Sequence, residues 1–274
     1  MKTKSKNTLI RALFFVFLGA LLAVEISYAT LQYNNEIYLL MSRLFGGCAC
    51  MIFMIDFSIT KILFPLGNKK LIPLLLIVPA FIIAINNFPF VSFFSGDCFI
   101  NAGTGSILLF ALSCFCTGFF EEMAFRGCAF MLLLKKRTQS RVKIFLAILL
   151  SSVVFGVIHF VNVFFGASPA AVLMQIGYSA LIGALCSLVL LLTRNIWLCV
   201  ILHATYNFCG GLIDLEKAAE SVQWTSSQMI FTAVVAVIVA IYFVILFFKM
   251  PISLGEDLFD VKPVKNQEET QKLN

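Results

Sequence analysis

Within one long apolar stretch stand three ionisable residues, in the run Glu121-Glu122-Met123-Ala124-Phe125-Arg126-Gly127. Each costs roughly 2.5–3.5 kcal/mol at the centre of a membrane helix on insertion scales, and no element of helix architecture requires the expense. Helical spacing puts Glu122 and Arg126 at i and i+4, close enough to pair. Glu121 then points about 100° away around the axis. A carboxylate held by arginine stays ionised and rigid, whereas one facing a less compensated cavity suits the work of a general base. A buried ion network that only ties helices together accounts for this motif alone equally well.

The chain has two histidines, and both lie in other apolar stretches. His159 closes Phe155-Gly156-Val157-Ile158-His159, where Ser152, Phe155, His159 and Asn162 share a helical face. His203 opens His203-Ala204-Thr205-Tyr206-Asn207, with His203, Tyr206, Asn207 and Gly210 aligned. A lone membrane histidine is commonly an interhelical hydrogen-bonding group. Two histidines, a glutamate pair and an arginine on three stretches are what a site assembled by convergence of helices requires.

The elements that position these groups follow from composition. Of 274 residues, 61% are hydrophobic and 12% charged, about half the charged share of a soluble domain. Continuous apolar runs, without the alternation of membrane strands, predict an all-α, polytopic transmembrane bundle. Eight spans are expected, near 8–24, 37–63, 71–87, 104–134, 142–163, 171–192, 195–212 and 228–248. Three spans up to residue 103 precede a core of five over 104–250, and a polar, disordered tail is expected from 251 to 274. The first span also has the look of a cleavable secretory signal, with Ser27-Tyr28-Ala29 after it.

The net charge of +6 belongs to topology. Lys2, Lys4, Lys6, Arg11, Lys61, Lys69, Lys70, Lys135, Lys136, Arg137, Arg141, Lys143 and Arg194 all fall on one side of the expected membrane. The other side carries Glu25, Glu36, Asp97, Asp214, Glu216, Glu220 and one basic residue, Lys217. The bias predicts that the basic side and both termini are cytosolic. No basic stripe with interleaved aromatics points to nucleic acid.

Glu121-Glu122-x-x-x-Arg126, Phe155-x-x-x-His159 and His203-x-x-x-Asn207 resemble, in order, the three motifs of the CPBP family, which unites type II CAAX prenyl endopeptidases with bacteriocin-processing and immunity proteins. The resemblance covers about residues 104 to 212. It implies an intramembrane endopeptidase acting on a membrane-associated protein or peptide, with Glu121, His159, His203 and Asn207 at the centre and Glu122, Arg126 and Phe155 in support. By chemistry, Glu121 and His159 can activate water while His203 and Asn207 stabilise the oxyanion. A second mechanism uses Glu121, His159 and His203 as ligands to a divalent metal such as zinc, leaving an open position for water. The spacing does not choose between them, although the absence of H-E-x-x-H excludes a helical zincin site.

Other readings compete. A cysteine peptidase would use Cys199 or Cys209 near His203. A non-catalytic immunity or scaffold protein would use the same polar cavity, and a transporter would use its carboxylates and histidines as a proton relay. Short loops suggest a bacterial plasma membrane, for which the family resemblance implies leader or pheromone peptides as substrates rather than prenylated proteins. Arg43 and Asp56 read as mutually neutralising or interfacial, Gln175, Ser179, Gly183 and Ser187 as a close-packing face, and Trp197 and Trp224 as interfacial anchors.

Overall fold

The computed structural model describes residues 36–64, 71–135, 140–215, 224–256 and 258–259, together with Leu13, Val16 and Gly19. The expected first span, 8–24, and its cleavage site lie outside the continuously described residues. Among the described residues the fold is entirely helical. Helix α1 spans Glu36–Asp56, α2 Leu71–Leu76, α3 Val78–Asn86, α4 Phe90–Ser95 and α5 Thr104–Glu122. A π-helical segment, Met123–Phe130, continues α5 into α6, Met131–Leu134. Helix α7 spans Arg141–Val157 and runs on as a 3-10 segment, Ile158–Phe165; then follow α8 (Pro169–Thr193), α9 (Ile196–Gly211), α10 (Ser226–Lys249) and α11 (Ser253–Glu256).

Among the described residues five helical stretches are long and apolar enough to cross a membrane: Ile37–Asp56, Thr104–Leu134, Arg141–Phe164, Pro169–Thr193 and Ser226–Lys249. Leu71–Asn86 and Ile196–Gly211 are shorter apolar stretches. The predicted span 71–87 is broken, because Pro79 has no N–H to continue the ladder through Ile77. The predicted span 37–63 stops as a helix at Asp56, where Ser58 takes a positive φ of 58°. Helix α4 is absent from the sequence-based expectation; its six residues are too few for a periodicity signal. The stretch Thr104–Leu134 has 31 residues, roughly 46 Å at 1.5 Å per residue, so it must tilt across a core of roughly 30 Å.

Helix α5 lies against α1 on one side and α9 on the other, while α8 packs along α7 and also meets α9. Small residues permit these approaches. A Cβ on Gly118 would stand 3.0 Å from Val200 O, and one on Gly156 2.6 Å from Ile176 O. Helix starts are fixed by polar side chains: Ser168 Oγ accepts from Ala171 N, Asn195 Oδ1 from Trp197 N, and Thr225 Oγ1 from Gln228 N. Trp197, read as an interfacial anchor, instead donates its Nε1–H to Leu63 O at 2.9 Å and stacks on Phe119.

The start of the expected solvated tail is also corrected. Leu258 and Phe259 are buried in the main apolar core, and Lys61 Nζ donates to Phe259 O. These two apolar side chains lie seven and eight residues beyond Pro251, and their burial removes them from water.

Candidate active site

The Glu-Glu-x-x-x-Arg motif straddles the change from α-helix to π-helix at Glu122–Met123. Such wide turns recur at functional sites because they re-aim side chains without ending the helix. Gly127 lets this turn press against α1, since a Cβ there would meet Met54 Sδ at 2.4 Å. Glu122 and Arg126 are completely buried, with Glu122 Oε1 and Arg126 Nη1 paired at 3.1 Å. The guanidinium carbon lies 4.3 Å from the centre of the Phe155 ring, a cation–π contact across to α7. Gly183 of α8 makes the room, for a Cβ there would stand 2.6 Å from Arg126 Nη2.

Helix α9 brings His203 to the same place. Its Nδ1 lies 2.8 Å from Glu122 Oε1, and its Nε2 lies 3.5 Å from Glu121 Oε2. An arginine-paired carboxylate can only accept, so His203 carries a proton on Nδ1. Its Nε2 then faces Glu121.

His159 sits on the 3-10 segment and places Nδ1 2.9 Å from Phe155 O. A carbonyl only accepts, so Nδ1 is the donor and a neutral His159 keeps a lone pair on Nε2. Phe155 meets both imidazoles edge-on, with centroids 5.3 Å from His159 and 5.8 Å from His203. Glu121, His159, His203 and Asn207 line one cavity of about 330 Å³. The three motifs therefore converge. The expected Glu122–Arg126 pair is present, and His203 joins it, facing Glu122 through one ring nitrogen and Glu121 through the other.

The same cavity is lined by residues that the sequence assigned to packing. Arg43 donates to Thr117 Oγ1 on its wall. Its expected partner Asp56 is exposed, roughly 20 Å further along α1. Gln175 accepts from Asn162 Nδ2 at 2.7 Å, and Ser179 lies close by on α8. Ser187 and Gly183 do serve close packing, Ser187 Oγ bonding to Gly183 O. The four-residue spacing of Gln175 and Ser179 was the available signal, but it cannot say whether a neighbour or a cavity lies opposite.

Among the described residues no group of three His, Cys, Asp or Glu side chains is placed to hold a metal ion. Glu121 and His203 approach each other at 3.5 Å, and His159 lines the same cavity. The cysteine reading finds no support in the packing. Cys199 is buried with its Sγ directed at Cys186 O, and neither Cys199 nor Cys209 lines the cavity.

Residues 103–209 match the family model described as type II CAAX prenyl endopeptidase Rce1-like. No curated protein and no solved structure matches the chain. The matched segment contains all three motifs and runs from the residue before α5 into the last turn of α9. Together with the five long apolar helices, it makes the chain an integral, multi-pass membrane protein. The segment similar to that family carries the three motifs that converge on the cavity between α5, α7 and α9.

Proposed function

We propose that the chain is an intramembrane endopeptidase that hydrolyses a peptide bond of a membrane-associated protein or peptide, with Glu121 as the general base. The observation that carries this reading is the link through His203, whose two ring nitrogens face Glu122 and Glu121. Glu122 and Arg126 hold the imidazole from behind, and Glu121 stands at its front edge on the cavity wall.

In the reactive state of this mechanism Glu121 is the carboxylate and His203 carries a proton on each ring nitrogen. A water between Glu121 and His159 Nε2 gives a proton to Glu121 as its oxygen adds to the scissile carbonyl carbon. The carbonyl oxygen becomes an oxyanion and accepts hydrogen bonds from Asn207 Nδ2 and His203 Nε2. Glu121 then returns the proton to the amide nitrogen as the C–N bond breaks, leaving a carboxylate and an amine. No protein nucleophile and no metal enters these steps. The basic-side bias supports cytosolic termini, and in a bacterial plasma membrane the family resemblance favours leader or pheromone peptides as substrates.

The deciding experiment uses purified protein in proteoliposomes and compares cleavage of membrane-anchored peptides with that by Glu121→Ala and His159→Ala. Loss of cleavage in both variants is expected. Equal cutting by all three proteins would remove these residues from the reaction. Protection against a bacteriocin that survives both substitutions would favour the non-catalytic immunity role.

A further inference from the structure

We propose that Asn162 and Gln175 form a binding site for the substrate's main chain, pairing with a peptide group two residues from the scissile bond. This assignment rests on the endopeptidase reading. The two side chains come from opposite arms of one turn. Asn162 belongs to the 3-10 segment, Gly166 reverses the chain with a φ of 86°, and Ser168 caps α8, which carries Gln175. Asn162 Nδ2 donates to Gln175 Oε1 at 2.7 Å, and both residues line the cavity with His159.

One hydrogen bond within the pair leaves the Asn162 carbonyl oxygen as an acceptor and the Gln175 amide as a donor. Exchanging nitrogen and oxygen in both amides leaves the same two functions, so the conclusion does not depend on that assignment. An acceptor beside a donor is the complement of a peptide N–H and C=O. A substrate drawn into the bilayer needs such a complement, because each unsatisfied main-chain group in hydrocarbon costs several kcal/mol. The surrounding helices spend their own main-chain groups internally, so side-chain amides must stand in for an adjoining strand.

The spacing agrees. Residues i and i+3 of a 3-10 helix eclipse one another about 6 Å apart, which sets Asn162 over His159. An extended peptide repeats the same edge every second residue, about 6.6 Å along. A substrate whose scissile carbonyl lies beside His159 thus presents its next peptide group on that edge to the amide pair. Recognition there is of the main chain and is indifferent to the side chain.

The test uses protein blocked by Glu121→Gln in nanodiscs and a pool of octapeptides bearing one acyl or prenyl chain. Parallel pools replace one backbone amide by an ester at each position in turn, and retention is read by mass spectrometry. Retention is expected to fall about tenfold for an ester at one position, the size of a lost hydrogen bond. Asn162→Leu/Gln175→Leu removes acceptor and donor together, and should retain the all-amide pool at least about tenfold less and no longer distinguish the ester. Gln175→Leu alone deletes the donor but leaves the Asn162 carbonyl for the peptide N–H, and should weaken retention while keeping the ester discrimination. Ester discrimination that persists in the double variant, or that occurs at no position, overturns the proposal. So does failure of the blocked protein to retain any peptide. Cleavage of the same pool by protein with Glu121 intact separates the outcomes: cutting without discrimination sinks only the amide pair, and no cutting sinks the endopeptidase reading as well.

Discussion

His203 Nδ1 donates to Glu122 Oε1 at 2.8 Å across 81 residues of sequence, and that same oxygen pairs with Arg126. One carboxylate therefore serves as the hinge between two motifs. Glu122 Oε2 and Arg126 Nε and Nη2 have no hydrogen-bond partner among the described residues, so little else compensates these buried charges.

Glu122→Gln should consequently damage both folding and activity. It leaves Arg126 charged and unpaired in the interior, a loss of about 3–5 kcal/mol. Pairing it with Arg126→Met removes the orphaned charge, and most of the stability should return. Activity should not return, because His203 no longer meets a carboxylate at Nδ1. Thermal unfolding in detergent and peptide cleavage, measured on the single and double variants, check the two halves separately.

The α7–α8 contact makes a prediction about glycine. Gly156→Ala places a Cβ 2.6 Å from Ile176 O and 3.1 Å from Ala180 Cβ, and neither backbone nor a β-carbon can swing aside. A loss of about 1–3 kcal/mol is expected, as for other overpacked sites. Gly177→Ala, one residue past Ile176, has nothing within 4 Å and should leave stability within about 1 kcal/mol of the parent. Equal melting temperatures for the two variants would contradict the packing described.

Cleavage should survive a strong chelator if, as proposed, Glu121 alone takes the proton of the attacking water. Inactivation by the chelator, with recovery on adding zinc, would return Glu121, His159 and His203 to the role of metal ligands.

Cysteine is expected to be dispensable. Cys199 is buried against Cys186 O, and Cys209 lies off the cavity. Cys199→Ala and Cys209→Ala should each retain cleavage within about threefold, a loss of under 1 kcal/mol in barrier terms. A fall of a hundredfold in either would reopen the thiol reading.

Much of the fold was legible in the chain, because hydrocarbon forces every spanning segment to satisfy its own backbone and so to be a continuous apolar helix. The stretch Thr104–Leu134, the pair α7 and α8, and the last long helix all follow from that rule. The rule is blind to local departures. The break at Ile77, the short α4, the π-helical turn after Glu122 and the 3-10 turn carrying His159 leave hydropathy almost unchanged. Leu258 and Phe259 were likewise hidden in a polar segment.

At the site, the sequence by itself determined which residues were too costly to be incidental: Glu121, Glu122, Arg126, His159, His203 and Asn207 are polar groups in an apolar solvent. Type and spacing decide that much, because the expense of burial belongs to the residue and its segment. Which groups meet is a property of three dimensions. Only the packing of α9 against α5 gives His203 to both glutamates, and only the turn between α7 and α8 joins Asn162 to Gln175. A helical face read from sequence says where a side chain points on its own cylinder. The neighbouring helix decides whether it finds a partner or a cavity.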